Sequence, residues 1–361
     1  MLYNYKLYSK SWTFKKVINP DIIQSSIKFS AQRNGGQGDI KISIGTIDTD
    51  FVHGDIVKVY ANDTTNRLIY TGYVDNIDET VNQGEDMEVS CIGLGSYLKN
   101  IIFTSGWVRT FTLNDTASNI ITAIATYANS INPIITLGTI TATVGNISQS
   151  FTNNNCFDAL YNVTNGTPGY YFYLDETGAI NFKADSVTPD YYITFQKDLQ
   201  SYDESNLGKI FNTVYFTYNG GSKTYTDATS ITTYGIREIT MDDQNINNVT
   251  TADLKIAKYL AKNAYPQENR ELIVNREFVG YKSEILIWDN ATITWDSLTL
   301  SWDNTVSTTA YWFEIIKPGE QIKILNFKKV VIWTVEKLEY SRDSIKLILN
   351  KNINLIKLLK E

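Results

Sequence analysis

Apolar and polar residues alternate with a period of two in short segments of the N-terminal third, and each segment ends at a polar turn. Residues 54–60 (Gly-Asp-Ile-Val-Lys-Val-Tyr) and 87–92 (Met-Glu-Val-Ser-Cys-Ile) follow this pattern, and a third apolar segment lies between them at 68–77. Such alternation predicts strands with one face in a core. Gly54 marks the entry turn, and Gly72 predicts a bulge or bend in the middle strand. This first block therefore predicts a meander or a barrel.

A second block near the other end of the chain repeats the order of the first. Pro318 and Gly319 suit the centre of a type II turn. Strand-like segments follow at 319–325, 330–340 and 345–349, separated by polar turns. The matching order predicts one module used twice, a degenerate internal repeat. Any two antiparallel meanders would look similar, and that alternative stays open here.

Between the two blocks the apolar spacing changes to that of helices. Stripes at i, i+3 and i+4 predict three helices, at residues 113–129, 155–163 and 251–264. Asn114 or Asp115 would cap the first helix, and Thr250 or Thr251 the third. After the second helix, a hairpin is predicted whose turn places Gly178 at a position of positive φ.

The predicted fold class is mainly β with small α+β insertions, in which two tube-like β-barrel domains are joined by intervening α+β domains. The predicted first barrel covers residues 1–105. An α+β domain with two helices and a hairpin covers 106–200, and a β segment with a helix forms a linking domain over 201–275. The second barrel covers 276–361 and contains a Trp-Asp β-ribbon at 285–310.

Three Trp-Asp pairs recur at a spacing of seven residues, at Trp288, Trp295 and Trp302. This period is far shorter than the roughly 40 residues of a WD40 repeat. The Asp and Asn residues favour Asx turns, so the segment predicts a β-ribbon in which each Trp packs one hairpin layer onto the next. The alternative is a carbohydrate-binding platform, because Trp rings stack on sugar rings. These three residues are therefore candidate carbohydrate or packing contacts.

The composition agrees with a mainly β chain and limits its partners. The 361 residues include 24 Tyr and 15 Phe but only 3 Met, and aromatic residues favour strands. The net charge of −7 argues against stable nucleic-acid binding, which needs a basic surface. No apolar run reaches the roughly 18–20 residues of a membrane span, and no signal-peptide pattern follows Met1. We therefore expect assembly in a reducing cytoplasm.

Few residues could carry catalysis. Cys91 and Cys156 alone cannot form a disulfide framework or a zinc site, and we expect them to be buried free thiols. His53 is the single histidine, which excludes a His-Glu-x-x-His metal site, and its place before a turn favours a solvent-facing role over a catalytic triad. A pair of acidic residues could still serve a glycosidase, so a cell-wall hydrolase remains a weaker alternative. We expect no enzymatic activity, no cofactor and no metal.

Several motifs occur in an order that resembles a known family. They are Gly54-Asp-x-Val-x-Val-Tyr with Tyr70-x-Gly72-x-Val74 and residues 93–98, then Gly169-Tyr-x-Phe-Tyr-x-Asp175-x-x-Gly178-x-Ile180, and finally Pro318-Gly319-x-x-Ile322-x-Ile324 leading to Val335-x-x-Leu338-x-Tyr340-Ser. In this order they resemble the baseplate-hub and tail-tip proteins of tailed bacteriophages and the hubs of related contractile injection systems. The resemblance covers most of the chain.

The resemblance implies a homotrimer around a central channel. Two barrels in each of three chains would give six modules, which would match a threefold object to a hexameric tail tube. The implied partners are the tail tube or distal tail protein, the tip or spike protein and the tape-measure protein, while DNA would pass through without specific binding. The implied location is the virion, at the tail tip or baseplate, after assembly in the bacterial host cytoplasm. A receptor- or carbohydrate-binding tail module is the alternative function.

Overall fold

The computed structural model describes most of the chain. The described residues are 3–18, 28–61, 66–81, 85–103, 115–147, 151, 154–186, 188–194, 199–207, 210–244, 246–275, 279–281, 310–312, 316–325, 332–341 and 344–351.

Within these residues the chain forms 24 strands and five α-helices. The strands are β1 Tyr3–Tyr8, β2 Phe14–Ile18, β3 Phe29–Gln32, β4 Gly35–Gly36, β5 Ile40–Ile44, β6 Ile56–Ala61, β7 Leu68–Val81, β8 Glu85–Gly93, β9 Asp115–Thr116, β10 Thr136–Ile140, β11 Asn146–Ile147, β12 Tyr170–Leu174, β13 Ala179–Ala184, β14 Tyr191–Thr194, β15 Leu199–Leu207, β16 Thr213–Tyr218, β17 Gly221–Thr226, β18 Glu238–Asp243, β19 Gln267–Asn275, β20 Val279–Tyr281, β21 Ala310–Trp312, β22 Gln321–Leu325, β23 Ile332–Tyr340 and β24 Ser344–Lys351. The helices are α1 Leu94–Tyr97, α2 Ala117–Ile131, α3 Cys156–Asn165, α4 Ala228–Tyr234 and α5 Val249–Asn263.

The first sheet contains the first predicted block. Its strand order is β2-β1-β6-β7-β8-β5, and every neighbouring pair is antiparallel. The period-two pattern appears directly as burial, because Ile40, Ile42 and Ile44 of β5 are buried while the residues between them are more exposed. Strands β6, β7 and β8 form the predicted up-and-down arrangement, which we term the first meander.

The large sheet contains the second predicted block. Strands β22, β23 and β24 follow one another in antiparallel order, and we term them the second meander. On one side β19 pairs antiparallel with β24, as β5 pairs with β8 in the first sheet. On the other side β14 runs parallel to β22, followed by β20 and β21. Each meander is therefore the centre of a larger sheet.

One strand of the large sheet comes from the opposite end of the chain. Strand β3 pairs antiparallel with β23, with Phe29 opposite Tyr340 and Gln32 opposite Lys337. Residues 29–32 fall inside the region predicted as the first barrel, so strand pairing crosses that predicted boundary. The two ends of the chain therefore build the large sheet together.

A small α+β unit, residues 115–184, follows the first sheet. Its sheet has the order β10-β13-β12-β4, and α2 and α3 cover its core. The cap of α2 differs from the predicted Asn114 or Asp115, because Asp115 pairs with Ile147 in a short two-stranded sheet. The helix therefore begins after Thr116, whose side chain accepts a hydrogen bond from the Asn119 amide. Strands β12 and β13 form the predicted hairpin.

A second α/β unit is inserted into the large sheet. Strands β15 and β19 pair with Leu207 opposite Gln267, so the intervening residues leave and re-enter the sheet at one place. Residues 210–264, the inserted unit, form a sheet of order β17-β16-β18 packed on α5. The cap of α5 is Asn248, which accepts from the Thr251 amide at 2.8 Å. The predicted caps Thr250 and Thr251 lie inside the first turn of the helix instead.

The mainly β prediction with small α+β insertions is confirmed. The outer strands of the two large sheets do not pair with each other within the described residues, so closure into two barrels stays a prediction. In the part of the chain that the structure describes, no helix is both long and apolar enough to cross a membrane.

The two large sheets share one core, and Phe29 connects its halves. Its ring stacks on Tyr340 with centroids 4.6 Å apart, and it lies 5.2 Å from the ring of Tyr70 in the first meander. Tyr3 of β1 approaches it at 6.0 Å and donates a hydrogen bond to the Ser341 carbonyl at 3.3 Å. Phe29 itself is 3% exposed.

We expect Phe29→Ala to lower the free energy of unfolding by about 3–5 kcal/mol, because it leaves a cavity between the two sheets. Urea unfolding followed by tryptophan fluorescence and circular dichroism measures the loss. The matched control is Ile236→Ala, where an apolar side chain that is 65% exposed in the inserted unit is removed at a cost below about 1 kcal/mol. A similar loss in both variants would contradict the connecting role of Phe29.

Candidate functional site

The turn that leads into the first meander has a distinctive set of backbone bonds. Gly54 adopts a φ of +84°. Its amide donates to the carbonyl of Val74 at 2.8 Å, and the Val74 amide donates to the carbonyl of Asp55 at 2.7 Å. The two bonds tie the turn to the middle strand before the regular pairing of β6 and β7 begins.

The turn that leads into the second meander repeats these bonds. Gly319 has a φ of +91°, and its amide donates to the Val335 carbonyl at 2.7 Å. The Val335 amide donates to the Glu320 carbonyl at 2.9 Å. Pro318 and Gly319 lie between the carbonyl of Lys317 and the amide of Glu320, which bond at 3.2 Å as in a β-turn.

The two meanders also share a β-bulge at the equivalent place. The pairing of β7 with β8 shifts by one residue between Val74 and Asn76, and that of β23 with β24 shifts between Val335 and Lys337. Gly72, where a bulge or bend was predicted, keeps regular pairing, and an added Cβ would clash with the Tyr70 hydroxyl. Matching turns, bonds and bulges support the predicted duplication.

The surroundings of the two turns differ. At Gly54 no atom of the described residues, its two chain neighbours apart, lies within 4 Å of where a Cβ would be. At Gly319 the same Cβ would overlap the ring of Tyr171, which projects from the hairpin strand β12. The second turn is thus covered by the α+β unit, while the first turn is open. Gly178 has the predicted positive φ, at +92°, in the turn of that hairpin.

One stretch, residues 28–44, connects the sheets and is termed the junction segment. After β3 pairs with β23, β4 runs parallel to β12 of the α+β unit. The buried Gln37 side chain then donates to the Ile69 carbonyl at 2.7 Å and accepts from the Thr71 amide at 2.8 Å, both in β7. Finally β5 pairs with β8. Few sequence signals could have revealed these contacts, because their partners lie far away in the chain.

Glu320, beside the second turn, lies among tyrosines at the boundary with the α+β unit. Burial raises the pKa of Glu320 to about 7. The Lys317 amide, which donates to its carboxylate at 2.6 Å, opposes that shift, and the charge of Asp190 adds to it. Tyr191 also bonds to the Glu320 side chain. The protonated form is therefore favoured at this boundary up to neutral pH.

The residues considered for catalysis differ in exposure, since His53 is exposed and both cysteines are buried. His53 makes a hydrogen bond of 2.7 Å between Nδ1 and the Asp75 carbonyl beside the bulge. Cys91 and Cys156 are buried free thiols, as expected, and burial raises the pKa of the Cys156 thiol to about 12. A group of three or more His, Cys, Asp and Glu side chains able to hold a metal does not occur within the described ranges. The absence of enzymatic activity stays a prediction.

The Trp-Asp segment lies outside the described residues, with Trp288, Trp295 and Trp302. The strands that flank it are described. Strands β20 and β21 pair antiparallel with Val279 opposite Trp312, and Tyr281 and Ala310, which border the segment, lie opposite each other. The packing and carbohydrate interpretations of the segment both stay predictions.

Comparison with solved structures identifies proteins of the same fold. A tail protein from Neisseria meningitidis MC58 is similar over 98% of both chains, with a TM-score of 0.63 and 12% identity. The 43 kDa tail protein of prophage MuSo2 from Shewanella oneidensis matches over 97% of this chain and 98% of its own, with a TM-score of 0.58 and 11% identity. The prophage tail protein gp18 from Listeria monocytogenes EGD-e matches over 99% and 100%, with a TM-score of 0.58 and 10% identity.

At such low identity the likeness is one of fold. The resemblance inferred from motif order is confirmed at that level, since phage tail proteins share this architecture over nearly the whole chain. No protein-family model and no curated protein matches the sequence. The likeness is therefore evident in the fold, whereas the sequence conveys it only through a few motifs.

Replacing Gly54 and Gly319 in turn by alanine distinguishes the cost of backbone strain from the cost of a steric clash with a neighbouring side chain. Each alanine must adopt left-handed φ, at a cost of about 1–2 kcal/mol, and at Gly54 that is the whole expected loss. At Gly319 the methyl group also displaces Tyr171, so we expect Gly319→Ala to lose about 3 kcal/mol or more. Urea unfolding of both variants measures the difference. Equal losses would show that Tyr171 does not pack tightly on the second turn.

The substitution Glu320→Gln tests whether the Glu320 carboxyl keeps its proton in the folded chain up to about pH 7. Because the folded-state pKa of about 7 exceeds the ordinary 4.5, the folded chain keeps a proton that the unfolded chain loses within this window. Wild-type stability therefore falls as pH rises from 4.5 to 7, by up to about 3 kcal/mol. Glutamine removes this loss, so the variant gains stability relative to wild type between about pH 5 and about pH 8 in urea titrations.

The control for this experiment is Glu238→Gln, which changes an exposed glutamate on β18 of the inserted unit. A pH-dependent gain of the same size in both variants would count against a special environment at Glu320.

Proposed function

We propose that this chain is a structural component of a phage tail tip or baseplate, where three copies form a hub ring that continues the hexameric tail tube. The observation that carries the proposal is the pair of meanders with matching turns and bulges, in a fold shared with phage tail proteins. Two similar modules in each chain allow three chains to present six, which fits a sixfold tube.

A ring of this kind joins the second module of one copy to the first module of the next. Strand β2 supports such a contact, because it is the outer strand of the first sheet and carries exposed apolar side chains, Phe14 and Val17 among them. An outer strand with apolar side chains promotes association in a free chain. A neighbouring copy that covers β2 would bury this surface, and each sheet would close into a tube-like barrel within the ring.

The proposed ring connects the tube or distal tail protein to the tip or spike, with the tape-measure protein and DNA passing through its channel. The net charge of −7 suits a channel wall that does not retain DNA. The proposed location is the virion, after assembly in the host cytoplasm, and the proposed role needs no enzymatic activity.

The test is the mass of the purified chain in solution, measured by light scattering and mass photometry. We expect a trimer of about 123 kDa from chains of 40.9 kDa, and threefold rings in two-dimensional electron-microscopy averages. We also expect Val17→Glu to shift the distribution toward monomer, because it places a charge on the edge that the ring would cover.

The matched control is Val144→Glu, the same substitution at a side chain that is 98% exposed in the α+β unit. It should leave both mass and thermal midpoint unchanged. A wild-type chain that stays monomeric at high concentration, alone and with a tube protein, would contradict the proposal. Equal effects of Val17→Glu and Val144→Glu on the mass would show that β2 is not part of the interface between copies.

A further inference from the structure

One edge of the second meander is covered by a strand from a distant part of the chain. Regular pairing of β22 with β23 ends at Thr334, and residues 337–340 on the same edge of β23 pair with β3 instead. Where this second pairing begins, the Arg33 amide donates to the Glu336 carbonyl at 2.8 Å. Leu338, in the middle of the covered stretch, is fully buried. Strand β3 therefore completes this edge.

The corresponding edge of the first meander has no strand beside it in the part of the chain that the structure describes. Strand β6 pairs with β7 only as far as Tyr73, whereas β7 continues to Val81 and pairs on its other side with β8. The matching bulges place Asn76 in the position of Lys337. Residues 76–79, which we term the open edge, therefore correspond to the four residues that β3 covers.

The burial of side chains along the open edge differs from that in the second meander. Ile77 corresponds to Leu338, yet it is only partly buried although it packs against the shared core. Glu79 is exposed, whereas the corresponding Tyr340 is 4% exposed and stacks on Phe29. A partly exposed apolar side chain at an unpaired strand edge favours pairing with another strand.

The pairing of β3 also indicates which backbone groups face the open edge. The Glu336 carbonyl accepts a bond from the junction segment, and in antiparallel pairs every second residue bonds to the same neighbour. In the first meander the corresponding carbonyl, that of Asp75, bonds to His53. The next residues that direct their amide and carbonyl groups to the open edge are therefore Ile77 and Glu79. Such a row of groups is a template for strand addition.

The order of modules in the proposed ring indicates which molecule supplies the missing strand. Within one chain, β3 extends from the region of the first module to the second module. A ring in which the two modules alternate places the second module of a neighbouring copy on the other side of the first module. That copy is therefore the source of a strand for the open edge.

We propose, on the basis of this ring, that a strand from the second module of a neighbouring copy pairs with residues 76–79 and completes the first meander as β3 completes the second. Asp78 and Glu79 are exposed on the open edge. The added strand is therefore expected to carry cationic side chains, because opposite charges on paired strands are favourable.

Hydrogen–deuterium exchange of the full-length chain tests this pairing, with the ring at high concentration compared with the monomer after dilution. Amides exchange slowly where they are hydrogen-bonded in a stable sheet. In the peptide that spans residues 76–81, we expect about two more protected amides in the ring, those of Ile77 and Glu79. The peptide that spans residues 335–340 is the internal control, because β3 covers that edge in both states. Mass photometry under the same conditions measures the ring itself.

The substitution Glu79→Pro provides a second test. Proline removes the amide that faces the open edge and is tolerated on an edge strand where that amide has no partner in the free chain. The matched control is Glu79→Ala, which removes the same side chain and keeps the amide. We expect Glu79→Pro to weaken ring assembly about tenfold or more relative to Glu79→Ala. Both variants should keep the circular dichroism spectrum of the wild-type monomer.

The outcomes separate this pairing from the ring. A ring in which residues 76–81 exchange as fast as in the monomer would overturn the pairing and leave the proposed function standing. Equal assembly of Glu79→Pro and Glu79→Ala, or protection that appears only when a tube protein is added, would do the same. If Glu79→Pro does not fold, the exchange measurement on the wild-type chain decides. A chain that never self-associates would overturn both the ring and the pairing.

Discussion

Phe29 lies between two sheets that the chain builds from its opposite ends. Its ring packs on Tyr340 and Tyr70, and its strand, β3, is hydrogen-bonded to β23. An aromatic ring buried in this way contributes a few kcal/mol, and the covalent continuity of its segment adds a second constraint. Because the same short segment continues into β4, Gln37 and β5, moving one sheet against the other would break pairing in three sheets.

This constraint explains why the two similar modules make different contacts within one chain. The bonds around Gly54 and Gly319 are alike, yet Tyr171 covers only the second turn, and β3 extends only the second meander. Within the described residues, no strand joins β7 in the way that β3 joins β23, so the two modules have different neighbours. The first module thus retains an outer strand, β2, on which the proposed ring depends.

Local features of this fold could be predicted from the sequence, whereas its long-range contacts could not. Turn glycines and apolar stripes are patterns of residues close together in the sequence. They therefore predicted the two meanders, the hairpin and three of the helices. The cap of α2 was missed because the pairing of Asp115 with Ile147, a tertiary contact, decides where the helix begins. Glu336, which pairs with Arg33, and Tyr340, which pairs with Phe29, each lie about 300 residues away in the sequence, and no periodicity encodes such pairings. The candidate turns were therefore predicted, but their contacts were not.

Two partly buried titratable groups, Glu320 and Lys258, lie where the units meet, and desolvation disfavours the charged form of each. Glu320 loses its proton in the folded chain near pH 7, so its unfavourable contribution grows as pH rises from 4.5 to 7. Lys258 has the opposite sign, because its folded-state pKa near 7 lies below the ordinary 10.5 and its unfavourable contribution fades as pH rises from 7 to 10.5. Together they make these boundaries least stable near neutral pH.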